Sequence, residues 1–317
     1  MEQIPVKLPK EYQMQMFPES IEFVIPGFER SCVPGSSKTL ALKKRGCEEW
    51  YNEFIDKLVN ACGRQFLPVC RMSDGEFLFL LGEQPFDIRL PFVQKLKQEL
   101  SRFKHRILLN GGLGPFTEGH YHSGEYSADE WRKARVDYPQ MIRKISENGI
   151  LALHLNYTNV PFQERYFPAL ERWLKGKKII INNNNYYPFY FVYALLTGPR
   201  RGELLKNRRV LVVNGQTGEK KQKIIEGLKR EGVLEVQWCS ISLKRSLYDS
   251  VDMGPFIGNV DLALVGAGIG KANIMVQMEP LNVPCIDAGY VFEVWADPKN
   301  KWGRVVCAPD DDWEFIK

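Results

Sequence analysis

The chain has 317 residues, of which 44% are apolar and 26% charged, the balance of an ordinary globular enzyme. This composition excludes a disordered chain, and the length allows a substantial core in one large α/β domain or two modest ones. The net charge of +5 is scattered along the sequence. It suits anionic small molecules or an anionic membrane surface and is too diffuse to favour nucleic acid.

The seven cysteines are irregularly spaced and form no CxxC pair, which argues against a zinc knuckle and a disulfide framework. Cys70 and Cys285 lie inside apolar runs, where a reduced thiol behaves as a small hydrophobe. The sequence shows neither a signal-peptide hydrophobic segment nor the roughly 20 consecutive apolar residues that span a bilayer. We therefore expect a cytoplasmic protein without a transmembrane segment, and peripheral membrane contact stays open.

Residues 1–47 are rich in Pro, Glu, Lys and Ser and show little periodicity, so we expect an irregular extension there and a single domain over residues 48–317. Apolar runs predict strands at 66–72, 106–109, 150–155, 178–181, 209–213, 234–238, 260–265 and 283–286. Helical periodicity or spacing predicts helices at 48–61, 75–81, 90–103, 128–146, 162–175, 187–196, 218–231 and 271–278. This alternation predicts an α/β fold with a Rossmann-like, mainly parallel sheet covered by helices on both faces.

Small or polar residues directly follow several of the predicted strands. They are Asn110, Asn156, Asn182, Asn214, Gly266 and Asp287. In open α/β sheets, ligands bind at the carboxyl ends of the strands. The pattern therefore predicts a nucleotide pocket at this edge.

The first chemical motif follows the strand at 66–72 and contains Arg71, Asp74 and Glu76. Carboxylates two residues apart face the same way in extended backbone and can converge on one ion. Mn²⁺ or Mg²⁺ prefers oxygen ligands and would bridge a diphosphate, and Arg71 could add a phosphate contact. The alternative is structural, because Ser73 and Glu76 also fit the S-x-x-E capping box of a helix.

The second motif is a glycine turn at Gly266, Gly268 and Gly270, followed by Lys271 and, after a helix and a strand, by Asp287. Backbone amides in such a turn can hold phosphate, and Asp287 lies at a suitable distance in sequence to contact a ribose. Lys271 stands where a dinucleotide fold needs a small residue, which disfavours NAD. Tight strand–helix packing would also explain the glycines.

A third motif combines Asn214 and Gly215, at a strand end, with Lys244, Arg245 and Tyr248 after the next strand. The two cations could bind phosphate and the tyrosine ring could stack on a base. An exposed basic helix start is the alternative. The residues expected to bind the nucleotide are Arg71, Asn214, Gly215, Lys244, Arg245, Tyr248, Gly266, Gly268 and Lys271.

Together these segments resemble the GT-D-fold glycosyltransferases, whose signature is an Arg followed by an Asp-Gly-Glu metal motif. The segment from Arg71 to Glu76 matches the family's R-x-G-D-G-E with Ser73 in place of the first Gly. Gly266 opens a match to the family's G-P-x-A without the proline. Asp287 opens a match to D-x-G-H in which a tyrosine replaces the histidine. With these departures the chain resembles a distant member of the family, and the motifs do not specify the donor sugar.

The resemblance implies transfer of a hexosyl or deoxyhexosyl group from a nucleoside diphosphate, with UDP expected, to a hydroxyl of a glycan or lipid-linked acceptor. It implies that Asp74 and Glu76 hold Mn²⁺ or Mg²⁺. Family members invert the anomeric carbon, which requires a general base at the acceptor hydroxyl. Asp287 is the first candidate for that base and Glu293 the second.

Two other classes of function compete with this interpretation. A Rossmann-type NAD(P)- or S-adenosylmethionine-dependent enzyme would use residues 266–287, and Asp74 and Glu76 would then only cap a helix. A non-catalytic nucleotide- or sugar-binding module would keep the affinity without turnover. The sequence does not indicate the acceptor, the linkage or the oligomeric state.

Overall fold

The computed structural model describes residues 6–7, 47–72, 126, 128–153, 173–179, 184–197, 200–297 and 314–315, together with Glu76, Phe79, Leu80, Val93, Leu96, Leu100 and Ile181. These residues contain a parallel sheet of seven strands. In chain order the strands are β1 Leu67–Met72, β2 Ile150–Leu153, β3 Tyr186–Pro188, β4 Arg209–Asn214, β5 Glu235–Ser240, β6 Leu262–Gly266 and β7 Pro284–Asp287. A separate antiparallel pair joins Val6–Lys7 to Glu314–Phe315.

The helices of the described part lie between these strands, with one before β1 and one after β7. They are α1 Cys47–Ala61, α2 Ala128–Asn148, α3 Phe189–Thr197, α4 Arg201–Leu205, α5 Gly218–Arg230, α6 Lys271–Gln277 and α7 Val291–Ala296. All residues of β1, β2 and β7 are buried. Strands buried along their whole length are covered on both faces, as parallel sheets require. The predicted Rossmann-like α/β fold is confirmed.

One predicted strand is wrong, the run at 178–181. Lys178 lies in a turn with a φ of 55°, and Ile179 and Ile181 lie outside any strand. The sheet instead uses Tyr186–Pro188, which the sequence had assigned largely to a helix. The tyrosines are fully buried beside β2, and a proline is tolerated because β3 is an edge strand.

Other predictions fall partly or wholly outside the described residues. The predicted strand at 106–109 is one of them. Val93, Leu96, Leu100 and residues 173–176 are helical, in agreement with the helices predicted around them. The boundary between an extension and a domain near residue 47 stays a prediction, because only two residues before Cys47 are described.

The order of the strands across the sheet is β3-β2-β1-β7-β6-β4-β5. The chain builds outward from β1 to β3 and then crosses to build the other half, so the first and last strands meet in the middle. Val69 pairs with Ile286, Val265 with Asp287, and Asn214 with Gly266. The carboxyl ends of β1, β7, β6 and β4 are therefore adjacent. In open α/β sheets, the place where the strand order reverses is where ligands bind.

No helix in the described part of the chain combines the length and apolar character that crossing a bilayer requires.

Candidate functional site

Four charged side chains meet at the carboxyl ends of β1 and β7. Lys271, the first residue of α6, places its Nζ 2.7 Å from Glu76 Oε1 and 2.8 Å from Asp287 Oδ2. Arg71, near the end of β1, donates from Nη2 to Asp287 Oδ1 at 3.0 Å and from Nε to the Asp287 carbonyl at 2.8 Å. Arg71, Lys271 and Asp287 are at most 5% exposed. The charge cluster, as we call these four residues, thus pairs two cations with two carboxylates inside the protein.

The cations of the charge cluster keep their charge despite burial. Burial lowers the pKa of Arg71 and of Lys271, but neighbouring groups together outweigh it and raise both pKa values above their usual range. These groups are Asp287 and Tyr193 for Arg71, and Asp287 and Glu76 for Lys271. Burial likewise raises the pKa of Asp287, and the two cations overcome this and hold that pKa below its usual value. At neutral pH the cluster therefore contains a guanidinium, an ammonium and an ionised Asp287.

Two aromatic rings of α3 cover the guanidinium of Arg71. Its Cζ lies 4.3 Å from the ring centroid of Tyr193 and 5.1 Å from that of Phe189. The two aromatic residues are four apart on a helix and so share one face. Phe189 belongs to the aromatic run at 186–191, whose helical spacing favours core packing over stacking on a sugar or a lipid-linked acceptor. The rings fix the position of the cation.

The guanidinium of Arg71 leaves no room for a side chain at position 289, which is a glycine. The φ of Gly289 is +47°, in the left-handed region, and a Cβ built on it would lie 1.9 Å from Arg71 Nη2. A side chain at this position would therefore displace the guanidinium from Asp287.

The predicted binding glycines Gly266 and Gly215 serve close packing. A Cβ on Gly266 would lie 2.4 Å from Asn214 Nδ2, and one on Gly215 would lie 2.5 Å from the Cα of Leu243. Asn214 is buried and accepts a hydrogen bond from the backbone of Gln216 at 2.8 Å. These contacts support the packing alternative for Gly266. They also bring the loops after β4 and β6 together.

The glycine turn and the basic segment pack against each other. A Cβ on Gly270 would lie 2.3 Å from Ser246 Oγ, and Gly268 takes a φ of +51°. Ser246 Oγ donates to the carbonyl of Ala267 at 2.7 Å, and Asn273 Nδ2 donates to the carbonyl of Ser246 at 3.2 Å. The second and third sequence motifs therefore lie next to each other in the fold, as a shared nucleotide site requires.

The basic side chains of that segment are exposed. Two of its residues, Arg245 and Tyr248, contact Glu130 of α2. Arg245 forms an ion pair with Glu130 and lies 5.4 Å from the ring centroid of Tyr126. Tyr248 donates from its hydroxyl to the carbonyl of Glu130 at 2.7 Å. Lys244 is exposed beside them. The ion pair reduces the positive charge that Arg245 offers to a phosphate, whereas the expected base-stacking ring of Tyr248 stays partly exposed.

The remaining predicted residues have partners outside the charge cluster or lie outside the residues that the structure describes. Glu293, in the first turn of α7, is partly exposed, and its Oε1 lies 2.6 Å from Lys220 Nζ. Asp74 lies outside the described residues. Among the described residues, no group of three or more His, Cys, Asp and Glu side chains could hold a metal ion. Glu76, the described member of the predicted metal pair, contacts an ammonium, and the metal site at Asp74 and Glu76 stays a prediction.

Comparison with family models gives no match. Comparison with curated protein sequences gives no match either. Among solved structures, a selenomethionine-substituted domain of unknown function 1792 is similar over 77% of this chain and 85% of that chain, with 13% sequence identity and a TM-score of 0.41.

The cationic side chains at this edge of the sheet could contact an anion. Arg71 and Lys271 are charged and held rigidly by their partners, and Lys244 and Arg245 add cationic side chains at the surface. Arg71 Nη1 is buried and has no hydrogen-bond partner in the described part of the chain. Buried donors are normally paired, so an unused donor in a charge cluster is consistent with a ligand oxygen.

Proposed function

We propose that the protein is a glycosyltransferase that holds the nucleoside diphosphate of its sugar donor at the carboxyl ends of β1, β7 and β6. The observation that carries this proposal is the charge cluster of Arg71, Glu76, Lys271 and Asp287, placed where the two halves of the sheet meet. The adjoining glycine turn and basic segment extend the site. The proposal also draws on the sequence resemblance to GT-D-fold enzymes.

In the proposed reaction the bond between the anomeric carbon and the diphosphate oxygen breaks, and an acceptor hydroxyl oxygen bonds to that carbon. The hydroxyl proton passes to a base, and the nucleoside diphosphate, expected to be UDP, leaves. Negative charge grows on the leaving diphosphate, where preorganised cations stabilise the transition state. We assign that stabilisation to Arg71 and Lys271. Asp287 anchors both of them.

We assign the general base of an inverting transfer to Glu293, the more exposed of the two candidate carboxylates. Both carboxylate oxygens of Asp287 are engaged by buried cations, which lower its pKa and so weaken it as a base. Glu293 is partly exposed and can be reached from solvent by the hydroxyl of a glycan or lipid-linked acceptor. The sequence-based preference for Asp287 stays a prediction. Transfer activity of Glu293→Gln measures which carboxylate acts.

The Mn²⁺ or Mg²⁺ site at Asp74 and Glu76 stays a prediction as well. Glu76 is already paired with Lys271, and no step of the proposed reaction is assigned to a metal.

A thermal-shift panel tests the proposed function. UDP, GDP, NAD and S-adenosylmethionine are each added with Mn²⁺ and with a chelator. A nucleoside diphosphate at a hundredfold excess over its Kd should add about 2.7 kcal/mol of stability, whereas NAD should add little. Stabilisation by NAD or S-adenosylmethionine and by neither diphosphate would contradict the proposal and favour a Rossmann-type enzyme.

A pair of matched variants locates the site. Arg245→Gln removes a cation at the carboxyl edge, and we expect it to reduce the shift given by the diphosphate. Arg201→Gln also removes the cation of an ion pair, but α4 precedes β4 and so lies towards the amino edge of the sheet. The control should retain the full shift. Equal loss in both variants would argue against binding at the carboxyl edge.

A further inference from the structure

The ammonium of Lys271 contacts Glu76, a carboxylate that the sequence predicts to bind a metal ion. The Nζ of Lys271 lies 2.7 Å from Glu76 Oε1 and 2.8 Å from Asp287 Oδ2, so the ammonium bridges the two carboxylates. Its side chain is only 6% exposed. A lysine buried this deeply between two carboxylates is held as a fixed charge and does not move freely in solvent.

A divalent ion and this ammonium compete for the same carboxylate. Mg²⁺ binds a carboxylate oxygen at about 2.0–2.1 Å. Because Lys271 Nζ lies 2.7 Å from Glu76 Oε1, a metal on that oxygen would be within about 5 Å of the ammonium. Two cations so close repel each other strongly in a buried setting. The cluster as folded therefore favours one cation there, and the chain supplies it.

The internal cation retains a donor for a ligand. An ammonium has three N–H donors, and Glu76 and Asp287 accept two of them. Among the described residues no acceptor takes the third. Arg71 Nη1, in the same cluster, is buried and also has no hydrogen-bond partner within the described part. In the described part of the chain, two charged donors of the cluster thus lack a protein acceptor and could pair with phosphate oxygens.

We propose that Lys271 is the built-in cation of this site and that a nucleoside diphosphate binds there without a divalent metal. The inference rests on the proposed function, since it concerns the same donor site. It assigns to Lys271 the charge compensation that the Asp-Gly-Glu motif would assign to a metal.

The test is the affinity for UDP and GDP, measured by isothermal titration with Mn²⁺ and with a chelator. Wild-type protein should give Kd values that agree within about threefold between the two conditions. Lys271→Met, which removes the charge at similar length, should weaken binding in chelator by about tenfold or more. Lys271→Arg keeps the charge and should retain most of the metal-free affinity, which separates loss of charge from loss of packing.

Glu76→Gln distinguishes most directly between Lys271 and a divalent metal as the cation of the site. If Lys271 is the cation, this variant still binds UDP or GDP in chelator, because the ammonium gains freedom to contact phosphate. If Glu76 is a metal ligand, binding requires Mn²⁺ in wild type and is lost in Glu76→Gln. That second pattern would overturn the inference and leave the proposed function intact. Binding of neither nucleotide under any condition would overturn both. Circular dichroism of each variant verifies that it is folded.

Discussion

Asp287→Asn is the perturbation whose effect on stability follows most directly from the charge cluster. Asp287 is 2% exposed, and its two carboxylate oxygens pair with Arg71 Nη2 at 3.0 Å and with Lys271 Nζ at 2.8 Å. The asparagine has nearly the same shape but no charge, so two buried cations lose their shared counter-charge. Removing one partner of a buried ion pair costs about 3–5 kcal/mol, and we expect a loss of unfolding free energy in that range.

Urea denaturation followed by circular dichroism measures this loss as the change in midpoint multiplied by the slope m. Glu293→Gln is the matched control, since it also neutralises a carboxylate close to a lysine, Lys220, at 2.6 Å. That pair is partly exposed and screened by solvent, so its loss should cost less than about 1 kcal/mol. If Asp287→Asn cost no more than the control, the cluster would not be a buried ion network.

Other predictions concern the neighbours of the cluster. Gly289→Ala should cost more stability than Gly218→Ala in the same urea assay: both glycines have positive φ, but an added Cβ meets Arg71 at 1.9 Å in the first and nothing within 4 Å in the second. Equal costs would contradict the close approach. Tyr193→Leu removes the ring that lies over the guanidinium of Arg71, whereas Tyr193→Phe keeps it. We expect the leucine variant to lose up to about 2 kcal/mol more unfolding free energy than the phenylalanine variant. Because the folded pKa of Asp287 is lowered, its contribution is present above its unfolded pKa of about 3.9 and is lost as the pH falls through the folded value. The stability gap between wild type and Asp287→Asn should therefore close in acid, and a gap that persisted there would contradict this origin.

The sheet could be predicted from the sequence because most of its strands are continuous apolar runs flanked by turn residues. The predicted run at 209–213 differs from β4 by one residue at its end. The prediction went wrong near 178–188, where apolar character alone does not distinguish a strand from a turn. Pairing with β2 decided which segment joined the sheet, and this is a tertiary contact that no local pattern contains.

The candidate site could be predicted as a set of residues but not as a set of pairings. The resemblance and the strand ends marked Arg71, Glu76, Lys271 and Asp287, and the structure brings these four together. Arg71 and Asp287 are 216 positions apart, and they meet because the first and last strands of the sheet are neighbours. Lys271 was expected to face the nucleotide from the glycine turn. That its ammonium also holds Glu76 depends on side-chain direction, which the spacing of residues does not determine.

Release of nucleoside diphosphate from nucleotide sugars tests the central proposal most directly. Wild-type protein is incubated with a panel of UDP- and GDP-sugars, with and without candidate glycan or lipid-linked acceptors, and the free diphosphate is quantified. The proposed function predicts acceptor-stimulated release from at least one donor, with a large loss in Lys271→Met. Tight binding of a nucleotide without release from any donor would contradict glycosyl transfer and indicate a binding module.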